Sequence, residues 1–288
     1  MRCSRAMGCS TPTVKLADRT MPGVTIIAEV GENHLGDLDR AREMVVEAAR
    51  AGADVVKFQS YRGVDVAADD PEREWFTQVE LSDAAHRELA GLAEREGTRF
   101  LSAPFTVERC RFLVDDLGLR EIKIASSEML NFKLLDFLNG RVETVYLSTG
   151  LADIDEVRAA VARLADVPDV VVMHCVTQYP LADEDANLRA LQTLAAALPE
   201  RRIGYSDHTI GMLAPLLAVA LGAVVIEKHF TLDRSLPGTD HVLSLTPPEL
   251  AELVRRVRTA ETLLGSAEKR PSDAELEIRD FVRSRFPK

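Results

Sequence analysis

Long apolar runs, an excess of basic charge and paired cysteines are all missing from this sequence, and each absence removes a class of protein. No stretch of 18 or more apolar residues occurs, so no membrane-spanning helix is expected. Thirty-five basic residues against 46 acidic ones leave a net charge of −11, which makes nucleic acid an improbable partner. The four cysteines, Cys3, Cys9, Cys110 and Cys175, show neither metal-ligand nor redox spacing, and free thiols are expected. The first twenty residues carry positive charge without a continuous apolar segment, which argues against a secretory signal and for a cytoplasmic protein. Lysine is scarce as well, supplying only seven of the 35 basic residues. Three of the seven, Lys57, Lys123 and Lys228, nevertheless fall at the ends of expected buried strands, where compact ammonium groups suit an anion.

What the sequence does contain is alternation. VTIIAEV (24–30) and DVVKFQSY (54–61) are apolar on both faces, as strands of a buried parallel sheet are. Helices are expected at 82–96, 106–117, 131–139, 153–165 and 184–198, with the strands TRFLSAP, REIKIAS, ETVYLST and DVVVMHC interspersed. A strand, helix and strand over 201–230 and a last amphipathic helix from Pro247 complete eight pairs. Eight pairs in about 250 residues predict a single-domain α/β fold, the TIM (β/α)8 barrel. The expected barrel occupies 21–266, after an N-terminal tail with a hairpin near 14–20 and before a polar, helical extension at 267–288. An open doubly wound sheet is the alternative, but it calls for a glycine-rich turn after the first strand, and GENHLG is a poor one.

In a barrel, catalytic groups belong at the C-terminal ends of the strands. Those ends carry Glu29; Lys57 and Gln59; Ser102; Lys123 and Ser126; Ser148; Thr177 and Tyr179; Ser206 and His208; and Glu227 and His229. Glu227 and His229 are two apart on a strand and share a side. His208 and His229, at the ends of neighbouring strands, are candidate ligands of a divalent metal; the alternative is polar residues capping a sheet. Lys57 and Lys123 with the hydroxyls of Ser126, Ser148 and Ser206 form a cup for a small phosphate- and carboxylate-bearing molecule, unless each lysine merely pairs with a glutamate. Glu29 is placed to handle a proton or a water. His86 is the one histidine expected on a surface helix. The segment 62–80, with the sole tryptophan, Trp75, is expected to wall the site.

IIAEVGENHLGD, AGADVVKFQSY, FLSAPF, IKIASSE, LSTG, MHCVTQYP, GYSDHTIG and ALGAVVIEKHFTLDRSLPGTDH, in this order, resemble the barrel domain of the N-acetylneuraminate (sialic acid) synthase family over roughly residues 14–280. The resemblance implies condensation of phosphoenolpyruvate with the aldehyde of an N-acylhexosamine or other aldose, giving a 2-keto-3-deoxy acid and phosphate. It implies that Lys57, Lys123, Ser126, Ser148 and Ser206 hold phosphoenolpyruvate, that His208 and His229 hold Mn2+ or Mg2+, that Glu29 activates water, and that Gln59, Tyr179 and Asp240 contact the sugar. Two departures fall in the cup: Ser102-Ala103 stands where relatives read Ser-Thr, and Thr177 where an asparagine is common. The family's antifreeze-like domain finds no counterpart before Lys288. The cap it provides is missing, supplied by another polypeptide or unnecessary for a different acceptor; a homodimer, the family's usual form, and a separate antifreeze-like protein are the candidate partners, and a non-catalytic or partner-dependent barrel that binds phosphoenolpyruvate or a sugar is the second functional reading. Synthases with phosphorylated acceptors rank lower, because no second basic cluster is evident.

Overall fold

The computed structural model describes residues 23–286; the expected hairpin at 14–20, Cys3 and Cys9 lie outside the described residues. Eight strands, β1 (Thr25–Gly31), β2 (Val55–Ser60), β3 (Arg99–Pro104), β4 (Glu121–Ile124), β5 (Thr144–Ser148), β6 (Asp169–Cys175), β7 (Arg202–Asp207) and β8 (Val225–His229), form one parallel sheet. Its order, β3-β2-β1-β8-β7-β6-β5-β4, brings the two ends of the sheet together. Arg99 of β3 spans that seam to the Glu121 carboxylate of β4, at 2.5 and 2.6 Å. The fold is thus a TIM barrel, and the open doubly wound alternative falls. The barrel body comprises Gly23–Leu263.

The helices are α1 (Leu38–Arg50), α2 (Arg73–Val79), α3 (Asp83–Glu96), α4 (Val107–Arg111), α5 (Phe132–Leu138), α6 (Ile154–Arg163), α7 (Ala190–Ala197), α8 (Leu213–Ala220), α9 (Pro247–Leu264) and α10 (Asp273–Arg283). Their starts are locally encoded. Asp37 caps α1 by accepting from the backbone N–H groups of Asp39 and Arg40, and Asp153 and Glu156 form a reciprocal cap on α6. α1 then buries Ala41, Met44, Val45 and Ala48, the stripe that helical periodicity requires. α10 belongs to a separate C-terminal unit and carries its own reciprocal cap, Ser272 with Glu275.

Strand alternation sorts the core into two layers. Ile26, Ala28, Val56, Phe58, Tyr205 and Ile226 point outward, into the apolar layer shared with the helices. Ile27, Val55, Leu101, Tyr146, Val171, Met173 and Val225 point inward and fill the lower barrel. The Tyr146 hydroxyl donates to Glu121 (2.8 Å), giving the inner layer a polar floor. With the lower barrel filled by hydrocarbon, the next inward positions are left to form the upper end, and on most strands these are polar.

Candidate active site

Register decides which side chains meet. Glu29 pairs with Lys57 on β2 and with His229 on β8, so three inward groups from three strands stand in one row. Ser206 pairs with Glu227 in the same way. These groups line a cavity of about 630 Å³ at the C-terminal end of the barrel, together with Gln59, Lys123, Ser126, Ser148, Thr177, Tyr179, His208 and Asp240. Ser102 is the one expected site residue that the cavity does not include. It pairs with Phe58, an outward residue, whereas Leu101 beside it packs inside the barrel. The inward position next along is Ala103, which pairs with Gln59. Parity along the strand therefore places the small side chain, and not the hydroxyl, toward the cup.

At the floor of the cavity four buried charges alternate in sign. Lys57 Nζ lies 2.9 Å from Glu29 Oε2 and 3.6 Å from Glu227 Oε1, and Lys123 Nζ lies 3.6 Å from the same Glu227 oxygen. Lys123 also donates to Ser148 Oγ at 2.6 Å, and Ser206 Oγ donates to Glu227 at 3.0 Å. Burial works against each charged form, and the neighbours decide the outcome. For Glu227, burial is outweighed by two lysines and its pKa falls to about 2, so it stays ionised. Glu29 has one lysine and a nearby carboxylate, and burial pushes its pKa up. Lys57 resists burial because Glu227 and Glu29 both hold its proton, whereas burial lowers Lys123. Two carboxylates pushed apart in this manner divide into a fixed anion and a proton-exchanging group. Glu227 Oε2 is buried with no hydrogen-bond partner among the described residues, an expensive arrangement unless a ligand completes it.

Above this row the His208 and His229 rings lie with centroids 5.3 Å apart, and Tyr179 covers His208 at 4.0 Å. The Val176 carbonyl can only accept, so His208 Nδ1 donates to it (2.7 Å) and Nε2 keeps its lone pair. Burial, and then the neighbouring His229, lower the His208 pKa to about 4, which keeps that imidazole neutral. Burial opposes protonation of His229 too, but Asp240 Oδ2, 3.3 Å from Nδ1, more than compensates and raises it. His229 Nδ1 is nonetheless buried without a well-aligned hydrogen bond. The lone pair of His208 Nε2 beside the His229 ring fits a divalent ion between two imidazoles. Among the described residues no group of three or more His, Cys, Asp or Glu side chains is arranged to hold a metal. An ion here would complete its shell with water or substrate oxygen.

Two glycines let the walls close in. Gly31 has φ +54°, and a Cβ there would approach Asp240 Oδ2 at 3.2 Å. A Cβ on Gly150 would fall 2.4 Å from Thr177 Oγ1 and 2.7 Å from Ser126 Oγ, while the Gly150 N–H donates to Ser126 (3.0 Å). Asp240 is held from behind: Asn33 donates to the Phe230 carbonyl and to Ser244 Oγ, and Ser244 Oγ donates to the Asp240 carbonyl (2.7 Å). The outer wall comes from the 62–80 segment, which forms α2 and sets Glu72, Trp75 and Phe76 against the cavity. Glu32 completes that wall and accepts a hydrogen bond from Trp75 Nε1.

Two further expectations are corrected. Lys228 does not join the anion cup: it lies on the outward face, wholly buried, 2.7 Å from Asp207 Oδ2. Asp207 also accepts from the Tyr205 hydroxyl and the Thr209 N–H, each at 2.9 Å. His86 is buried under α3, its Nδ1 against the Ser82 carbonyl (3.1 Å), and is not a surface residue. Glu227 is placed by the sequence at a strand end and Trp75 in the wall segment, but neither receives a role there, nor does Glu32. Alternation put Glu227 on the side of His229; its part in pairing Lys57 and Lys123 shows only once the strands are assembled.

The family model described as the NeuB family matches residues 44–269. The chain is 42% identical to the N,N'-diacetyllegionaminic acid synthase of Legionella pneumophila, over 90% of this chain and 78% of that protein. It is 36% identical to the human N-acetylneuraminate-9-phosphate synthase, over 85% of this chain and 72% of that one. A crystal structure of an N-acetylneuraminic acid (sialic acid) synthetase from Leptospira borgpetersenii, in complex with citrate, superposes with a TM-score of 0.86 at 36% identity, covering 96% of this chain and 98% of that one.

Proposed function

Because this chain belongs to the NeuB family and is an enzyme of the sialic acid synthase type, we propose that it condenses phosphoenolpyruvate with an unphosphorylated N-acylhexosamine or other aldose, with a divalent metal. The observation that carries the reading is the floor of the cavity, where Lys57 and Lys123 flank one permanently ionised carboxylate beside a second whose pKa is raised.

Lys57 and Lys123, with the hydroxyls of Ser126, Ser148 and Ser206, hold the phosphate and carboxylate of phosphoenolpyruvate. Its C3 bonds to the aldehyde carbon, the aldehyde oxygen takes a proton, water adds at C2, and phosphate leaves as the 2-keto group forms. Glu29 takes the proton from that water, a role its raised pKa suits and that Glu227 cannot share. Glu227 instead keeps both lysines charged and in place. His208 and His229 would hold Mn2+ or Mg2+, which supplies Lewis acidity to a carbonyl oxygen. Gln59, Thr177, Tyr179 and Asp240 contact the sugar. Lys57 and Lys123 are the only Lys or Arg side chains lining the cavity among the described residues, and the first three-carbon anion occupies both. No cation is left for an acceptor phosphate.

The test is phosphate release from phosphoenolpyruvate with Mn2+ and a panel of aldoses, with the products weighed by mass spectrometry. Release that depends on one aldose and yields a product heavier than that aldose by one pyruvic acid supports the reading. No release with any unphosphorylated aldose, or release only with a phosphorylated one, overturns it. No helix among the described residues is long and apolar enough to cross a membrane.

A further inference from the structure

The cavity is electrically two-ended. Its floor carries both lysines, whereas its outer wall carries Glu32, Glu72 and Asp240 with no Lys or Arg among the described residues. The wall is built and not merely acidic. Trp75 Nε1 donates to Glu32, and Gly238, at φ +126°, brings the 231–243 loop alongside the indole. Glu32 and Glu72 come from different segments, one after β1 and the other at the start of α2, and both line this cavity with Trp75. At its lysine end the same cavity holds the buried, unpartnered Glu227 Oε2 described above, a sign that a ligand enters the cavity.

Resting on the synthase reading, we propose that Glu32 and Glu72, which line the outer wall with Trp75, select an acceptor aldose that carries a cationic nitrogen remote from its aldehyde. The acceptor's aldehyde must face inward, toward the histidines and the C3 of phosphoenolpyruvate, so its far end meets this wall. A hydroxyl there would satisfy one carboxylate at most, and a phosphate would be repelled by all three. An ammonium or amidinium group donates to both glutamates and lies beside an aromatic ring, which adds cation–π attraction.

The experiment uses the full chain, phosphoenolpyruvate and Mn2+, with N-acylated aldoses matched except at one remote carbon bearing hydroxyl, amine, acylamine or phosphate. The expected result is a kcat/KM for the amine at least about tenfold above that for the hydroxyl, the scale of one hydrogen bond to a charged group. In the Glu32→Gln/Glu72→Gln double variant this ratio falls to about one, while Gln still accepts from Trp75. A ratio of one or less in the parent, a preference for phosphate, or a ratio that survives in the double variant overturns the proposal. If no acceptor releases phosphate, the synthase reading fails by itself. Calorimetric titration of the amine and hydroxyl members against parent and double variant then judges the wall by the same ratios.

Discussion

Glu29 and Glu227 differ by two lysine contacts against one, and that difference assigns their work. Glu29→Gln should lower kcat by about 10²–10⁴, the usual share of a general base. Binding of phosphoenolpyruvate should stay within a fewfold of the parent, read from the fluorescence of Trp75, which lines the cavity and is the chain's single tryptophan. A variant with normal kcat would remove Glu29 from the chemistry. Glu227→Gln should act differently, leaving two buried ammonium groups with one carboxylate between them. Losing one partner of a buried ion pair costs about 3–5 kcal/mol, and the substrate anion should restore more stability to this variant than to the parent. Equal stabilisation of both by phosphoenolpyruvate would contradict the shared role. Glu32 offers a pH signature. Its pKa is raised from 4.5 to about 7, chiefly by burial, so the folded protein binds its proton more tightly than the unfolded chain does. Its contribution is therefore present at low pH and is lost as pH rises from about 4.5 through 7. Metal-free Glu32→Gln should gain on the parent by up to about 3 kcal/mol across that window in urea unfolding; parallel stability curves would show that Glu32 titrates normally.

At the scale of elements, strand parity was the most readable signal. An inward residue stays inward every second position, and Glu29, Lys57, Lys123, Ser148, Ser206 and His229 obey it. The misreadings came from naming strand ends without applying that parity: Ser102 and Lys228 each sit one position out of phase and face the helices. Helix boundaries were less legible, because they depend on local backbone. The helix expected at 106–117 changes to a wider, π-helical turn at Phe112–Asp116, and the one expected at 184–198 starts only at Ala190, after Asn187 adopts φ +42°. The Trp75 wall was invisible in detail, since contacts between two loops leave no periodic trace. The out-of-phase pair at Lys228 and Asp207 is itself testable. These residues lie between Glu227 and His229 and between Ser206 and His208, so the pair locks the backs of β7 and β8 in register. Lys228→Met strands a buried carboxylate and should cost about 3–5 kcal/mol, whereas Lys228→Met/Asp207→Leu should recover much of it. A double variant as unstable as the single one, in urea midpoint, would mean that register and not charge compensation is at stake.

For the whole molecule, the site collects a side chain from nearly every strand, so its buried charges and unpaired atoms burden the entire barrel. Among the described residues Glu227 Oε2 has no hydrogen-bond partner and His229 Nδ1 no well-aligned one, and the two lysines crowd one carboxylate. Such a barrel gains stability when ligands supply what is missing. A ligand at about a hundred times its Kd adds about 2.7 kcal/mol. In a barrel of this size each kcal/mol moves Tm by about 2–4 °C. Phosphoenolpyruvate and Mn2+ should therefore each raise Tm by about 5–10 °C at saturating concentration. The two increments have separate owners. His208→Ala/His229→Ala should lose the Mn2+ increment and keep most of that from phosphoenolpyruvate, and Lys57→Ala/Lys123→Ala should do the reverse. Fluorimetric melting of the parent and both variants, with each ligand alone and together, reads all the increments at once. If the histidine variant melts with an undiminished Mn2+ increment, the ion lies elsewhere and the imidazole pair is only the roof of the cavity. If the lysine variant keeps the phosphoenolpyruvate increment, the charged floor is a structural knot and the anion binds somewhere else on the barrel.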